Sequence, residues 1–291
     1  MFKLEYFSKR GDVLPLSNNP LFILTNVDGM TTGATSISST VTGGIDGDTV
    51  NNVQVQPRSV ILTLEFQNGV NIEDAKRDIL RVVKIKQNGA LRWTQNNRTV
   101  QIEGIVESIE MPRFSDAVAM QISLHCESPF WEDTEAVIQE INEYINAHFF
   151  TTNPYNMLYF PPEGIPFGFY DTSRTKTFHN AGDVAAGLEI RIQAFETVTN
   201  PIIYDTDGNY FGVGYGTGAK QVTMHSGDIM VITTHKGHKT VKLNGVSLYD
   251  KIKPQSVWLQ MQTGDNQFSI NSDDESVSNM TFNLIYKQRY I

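Results

Sequence analysis

Period-two alternation of apolar and polar residues runs through this chain in several separate stretches, and it limits the fold more than any other feature. In SVILTLEF, Val60, Leu62, Leu64 and Phe66 alternate with Ser59, Ile61, Thr63 and Glu65. Val118, Met120, Ile122, Leu124 and Cys126 repeat the pattern, as do Leu188, Ile190 and Ile192 against Glu189, Arg191 and Gln193. Met280, Phe282, Leu284 and Tyr286 close the series. A strand sends successive side chains to opposite faces, so each stretch predicts a strand with one buried face. Gly104, between Ile102 and Ile105, reads as a bulge. Asn244-Gly245 reads as a hairpin turn.

Two segments carry the helical period instead. In NIEDAKRDILRVVKIKQNG, Ile72, Ala75, Ile79, Val82 and Val83 share one face. Asn71 is placed to cap the start, Glu73 and Asp74 fill the first turn, Lys84 and Lys86 the last, and Gly89 stands past the end. The second predicted helix spans 134–149, with Val137, Ile138, Ile141, Tyr144 and Ile145 on one stripe. The fold class expected is mainly β with minor α.

Two irregular stretches divide the rest. Residues 29–58 are rich in Gly, Thr and Ser, with β-branched residues and little to bury, which reads as a functional loop or long hairpin. Residues 151–171 are loaded with Pro, Gly and aromatics. The division expected is a first domain over 1–133, a helical and aromatic linker over 134–171, and an all-β second domain over 172–291.

Charge narrows the function. Residues 1–150 hold 12 basic and 19 acidic side chains, and 151–291 hold 11 and 13, so neither half offers a basic footprint for phosphate backbones. Sequence-specific nucleic-acid binding is not expected, although an acidic wall lets a polyanion pass without sticking. No stretch reaches the roughly 20 apolar residues of a membrane helix, and the start lacks the apolar core of a signal peptide. The expectation is synthesis in the cytoplasm without membrane insertion. The lone cysteine, Cys126, leaves no pair for an internal disulfide and reads as a buried thiol.

No catalytic, metal or cofactor site is expected. His235 and His238 lie in a hairpin tip with no further ligand cluster. DTDGN, 205–209, has its glycine too early for a calcium loop and reads as an Asp-Gly turn. GNYFGVGYGTG has no helix after it to hold a phosphate. The acidic run at 272–276 reads as a solvated turn. No serine sits in a G-x-S-x-G elbow, and His125 points away from Cys126 on a strand. His148 and His179 have no evident partners. Trp93, Trp131 and Trp258 are an ordinary number for this length.

At the centre, the strand AVAMQISLHCE runs into SPFWED, 128–133. This junction resembles that of the distal tail protein family of siphovirus-type bacteriophages. Upstream, VTGGIDGDTV, SVILTLEF, NIEDAKRDILRVV and 91–126 resemble that family's glycine-bearing loop, strand, helix and strand pair. Downstream, FHNAGDVAAGLEIRI, SGDIMVITTHKGHKTVKLNG and WLQMQTGDNQFSI resemble its second domain. The order of these motifs over nearly the whole chain carries the resemblance.

The resemblance implies a first domain that forms a hexameric ring and a galectin-like β-sandwich as the second. It implies an adaptor at the virion tail tip, joining the tail tube protein to the tail-associated hub protein. Receptor-binding or baseplate proteins would dock on it, DNA would pass through its channel, and no residue would be catalytic. Ser128, Pro129, Phe130 and Trp131 would form a rigid inter-domain junction: Pro129 fixes its own φ and extends Ser128, and the two aromatics bring large apolar surfaces. The plainer reading is that they cap the first core. Gly43, Gly44, Asp46 and Gly47 would belong to a subunit-interface loop. Asp46, Asp48, Glu107 and Glu110 are the carboxylates considered for the channel. Residues 134–171 depart from the family by their length and are expected to brace the domains or a neighbour. Two alternatives stay open: a carbohydrate-binding module for the host surface, although Ala181 follows His179-Asn180 without a galectin site's arginine and Trp–Glu pair, and a tube or baseplate component of a contractile tail-like particle.

Overall fold

The structure, a computed structural model, describes residues 2–31, 33–44, 46–111, 119–140, 144–145, 169–170, 175–274 and 279–291. The chain forms two compact units, one of residues 1–134 with 289–291, the other of residues 135–288. Val118 and most of 151–171 lie outside the described residues.

The first unit contains β1 (Lys3–Ser8), β2 (Val13–Pro15), β3 (Phe22–Asp28), β4 (Thr35–Thr40), β5 (Thr49–Val55), β6 (Arg58–Phe66), α1 (Ile72–Val82), β7 (Asn88–Gln95), β8 (Arg98–Glu110), β9 (Ala119–Cys126) and β10 (Trp131–Asp133). The main sheet runs in the order β2-β1-β7-β8-β9-β6-β3. Its inner face carries Leu4, Tyr6, Val60, Leu62, Leu64, Leu91, Ile102, Met120, Ile122 and Leu124, all buried in one core with Ala75 and Ile79 of α1. The alternation read in SVILTLEF and AMQISLHC is therefore the inward face of β6 and β9, paired Val60↔Leu124 and Leu62↔Ile122. Asn71 caps α1 by accepting from the Glu73 N–H at 3.2 Å.

Two glycines do other work than expected. Gly104 pairs regularly with Gly89. The bulge falls three residues later, where Glu107 is the extra residue between Val106↔Leu124 and Ser108↔Ser123. A Cβ on Gly104 would lie 2.8 Å from Cys126 Sγ, so glycine is there for close approach. Gly89 is inside β7, not at a helix end, and a Cβ there would strike the Tyr6 ring. The helix closes earlier, at Val83, whose N–H reaches the Ile79 carbonyl.

The second unit contains β11 (Val137–Glu140), β12 (Tyr144–Ile145), β13 (Phe169–Tyr170), β14 (Thr175–Asn180), β15 (Ala186–Gly187), β16 (Glu189–Ala194), β17 (Val198–Thr199), β18 (Ile202–Tyr204), β19 (Tyr210–Gly212), β20 (Thr223–Met224), β21 (Ile229–His235), β22 (His238–Leu243), β23 (Val246–Ser247), β24 (Gln260–Met261), β25 (Gly264–Asn271) and β26 (Met280–Tyr286). One sheet runs β11-β26-β16-β21-β22-β23 and a second β14-β25-β18-β19. Ile190, Ile192, Met230, Ile232, Phe282 and Leu284 of the first share a core with Phe178, Ile203, Phe211, Phe268 and Ile270 of the second, which makes a β-sandwich. Asn244 and Gly245, at φ 48° and 84°, form the expected hairpin turn.

The helix expected over 134–149 is corrected at its described residues; 141–143 and 146–149, with Ile141 and His148, lie outside them. Val137–Glu140 is a strand paired with β26, Val137↔Tyr286 and Ile138↔Ile285, and Tyr144–Ile145 pairs with β13. Its β-branched residues suit a strand, and an available sheet edge outweighs helical spacing. The last strand, β27 (Arg289–Tyr290), belongs to the first unit and pairs with β10. Among the described residues α1 is the one α-helix.

Candidate functional site

Residues 29–58, expected as a loop or hairpin, form a hairpin of β4 and β5 that pairs with nothing else among the described residues. Every residue of both strands is exposed. The register sets Ile37 opposite Val53, Thr35 opposite Val55 and Ser39 opposite Val50. A bulge between Ser38 and Ser39 makes Asn51 the extra residue. It keeps Val50 on the same side as Val53 and Val55, because each added residue flips the side-chain direction. One face of this arm is thus apolar, with Ile37, Val50, Val53 and Val55 exposed by 62, 53, 56 and 46%. The other holds Ser36, Ser38, Asn52 and Gln54. Gly43, Gly44, Asp46 and Gly47 are at the tip, with Gly44 and Gly47 at positive φ and open space around them.

The root of the arm is tied down. Gly29 has φ 76°, and a Cβ on it would collide with the Ser59 carbonyl. The next carbonyl, of Met30, accepts from Arg58 Nη1 at 2.7 Å and from Trp131 Nε1 at 3.0 Å. The structure therefore joins two regions the sequence reading kept apart, the arm and the SPFW junction.

The junction is a jog between two strands that share one edge of β8. β9 pairs with Ile105 through Glu110, and β10 with Val100 and Gln101. Pro129 ends the first strand. Trp131 then drops into the first unit's core at 2% exposure, edge-on to Trp93 at 5.9 Å. Phe130 stays half-buried, with the Arg289 guanidinium 4.9 Å from its ring centre. Arg289 also donates to Ser128 Oγ at 2.8 Å. The Tyr290 hydroxyl donates to Asp133 at 2.9 Å, while Arg98 lies 3.4 Å over its ring. Burial, then the Asp133 carboxylate, push the Tyr290 phenol up to about 12. Burial likewise pushes the Cys126 thiol up to about 11 against the pull of Arg58, so it stays a neutral core group.

The remaining candidates resolve into structural roles. Asp205 accepts from the backbone N–H groups of Asp207 and Asn209 at 3.0 and 2.8 Å, the expected turn. Asp273 and Asp274 accept from Asn200 Nδ2 and the Thr199 N–H, anchoring a loop. His235 and His238 face each other across a hairpin, but no group of three or more metal-ligating side chains occurs among the described residues. His179 meets Asp265 at 2.7 Å in the open, while Asn180 is buried and bonded to the Met261 carbonyl. The pair is therefore not displayed together as a sugar-reading surface. What sequence reasoning missed is the C-terminal dipeptide: Arg289 and Tyr290 carry no local signal of where they dock.

Residues 181–290 match the family model of the siphovirus-type tail component, C-terminal domain. The whole chain is similar in structure to the SPP1 Dit (gp 19.1) protein, a hub adsorption apparatus component of Gram-positive-infecting phages, at 13% identity and TM-score 0.66 with 100% of each chain covered. It is also similar to a chain of the phage p2 baseplate, at 11% identity and TM-score 0.49 over 98% of both. No curated protein matches the sequence. The resemblance drawn from the motif order is borne out by the domain match and the full-length fold.

Proposed function

From a chain whose residues 181–290 match a siphovirus-type tail component domain, we propose a hub at the distal end of a long phage tail. Copies of the first unit close into a hexameric ring that joins the tail tube to the tail-associated hub protein. The second unit's sandwich is the docking platform for receptor-binding or baseplate proteins. The chain acts as an adaptor and not as an enzyme.

The observation that carries this is the arm. A lone two-stranded hairpin is marginally stable in water, and this one exposes Ile37, Val50, Val53 and Val55 on one face. Laid on a neighbouring copy, that face is covered and the arm ordered. The outer face of the main sheet supports a channel wall. It carries the exposed carboxylates Glu65, Glu103 and Glu107, the last accepting from Ser123 Oγ at 3.5 Å, together with Glu5, against the cations Lys3 and Arg92. Such a face repels DNA phosphates. Of the carboxylates considered from sequence, Glu107 and Glu110, the latter opposite Gln121, are then the wall residues, while Asp46 and Asp48 travel with the arm.

Negative-stain imaging of the purified protein tests the reading. Open-centred rings with six-fold symmetry are expected. Stacked tubes would favour the contractile-tail relative, and featureless single chains would count against the hub.

A further inference from the structure

Residues 289–291 finish the site at which the arm is rooted. β10 is paired along one side with β8, Glu132↔Gln101 and Asp133↔Val100, and along the other with β27, Trp131↔Tyr290 and Glu132↔Arg289. Without β27, β10 would be a bare edge of three residues. The side chains reinforce the pairing one for one. Arg289 engages Ser128, Glu132 at 3.2 Å and Phe130, and Tyr290 engages Asp133 and Arg98. Beyond them, Ile291 reaches Gly33 at the foot of β4: a Cβ on Gly33 would sit 3.9 Å from Ile291 Cγ2 and 3.8 Å from Arg58 Nη2. Arg58 and Trp131 both hold the Met30 carbonyl.

We propose that Arg289-Tyr290-Ile291 is a latch that locks the root of the arm. The arm's root sets only when residues 289–291 dock on β10, so a chain cut before Arg289 lacks a properly mounted assembly arm. The part about assembly rests on the hub reading above; the latch does not.

Hydrogen exchange on the full chain and on a chain ending at Gln288 tests it. Exchange is expected to rise about tenfold or more at 30–40, 98–101 and 131–133 in the shorter chain, as for local opening, with β16, β21 and β26 unchanged. Equal exchange in the two chains overturns the latch. If the shorter chain unfolds throughout, Arg289→Ala in the full-length protein decides: faster exchange confined to the same segments supports the latch, and no change overturns it. The mass of each chain is read in parallel. Localised opening in a protein that never associates faults the hub reading and leaves the latch standing, whereas a shorter chain that opens locally yet associates normally overturns the link to assembly.

Discussion

Trp131 shows how one residue ties two regions together. Its ring fills the first unit's core while its indole N–H holds the Met30 carbonyl. Truncation leaves a cavity and removes one of the two donors to that carbonyl, Arg58 Nη1 remaining. Trp131→Ala is expected to cost roughly 3 kcal/mol or more of first-unit stability, the usual size for a large core aromatic, read from the denaturant midpoint of that unit's transition. An unchanged midpoint would place the ring outside the core. The break at which Trp131 sits was legible because Pro129 and the end of strict alternation mark it. That its anchor is Met30, 101 positions away, was not, since neither residue carries a local sign of the other. Phe130 was read as Trp131's equal and proves to be a half-buried platform for Arg289.

At the scale of elements, strands with one buried face were readable because burial imposes the period of two. β6, β9, β16 and β26 all follow it. Helix α1 was readable from its cap and acidic first turn. β11 was not: Val137 and Ile138 fit a helical stripe and a strand equally, and the choice is made by β26, far along the chain. The arm was legible as a long polar insertion but not as an amphipathic hairpin, because its bulge interrupts the alternation. The arm's role has a direct readout. In assembled protein, amides across 35–55 should exchange more slowly than in dissociated protein, as their hydrogen bonds gain cover. Exchange equally fast in both states would mean the arm does not line the interface.

For the whole molecule, the division into a sheet-and-helix unit and a sandwich was visible as a change of pattern around SPFWED. The return of 289–291 to the first unit was hidden, because a dipeptide strand is too short to show a period. The two units divide the labour proposed here: the first carries the arm and the acidic sheet face, the second the family-matched sandwich. Association of the first unit is read from the mass of the purified protein by light scattering. A species of about six times the 32.7 kDa of one chain is expected. A single-chain mass that persists as concentration is raised would contradict a ring built by this protein alone.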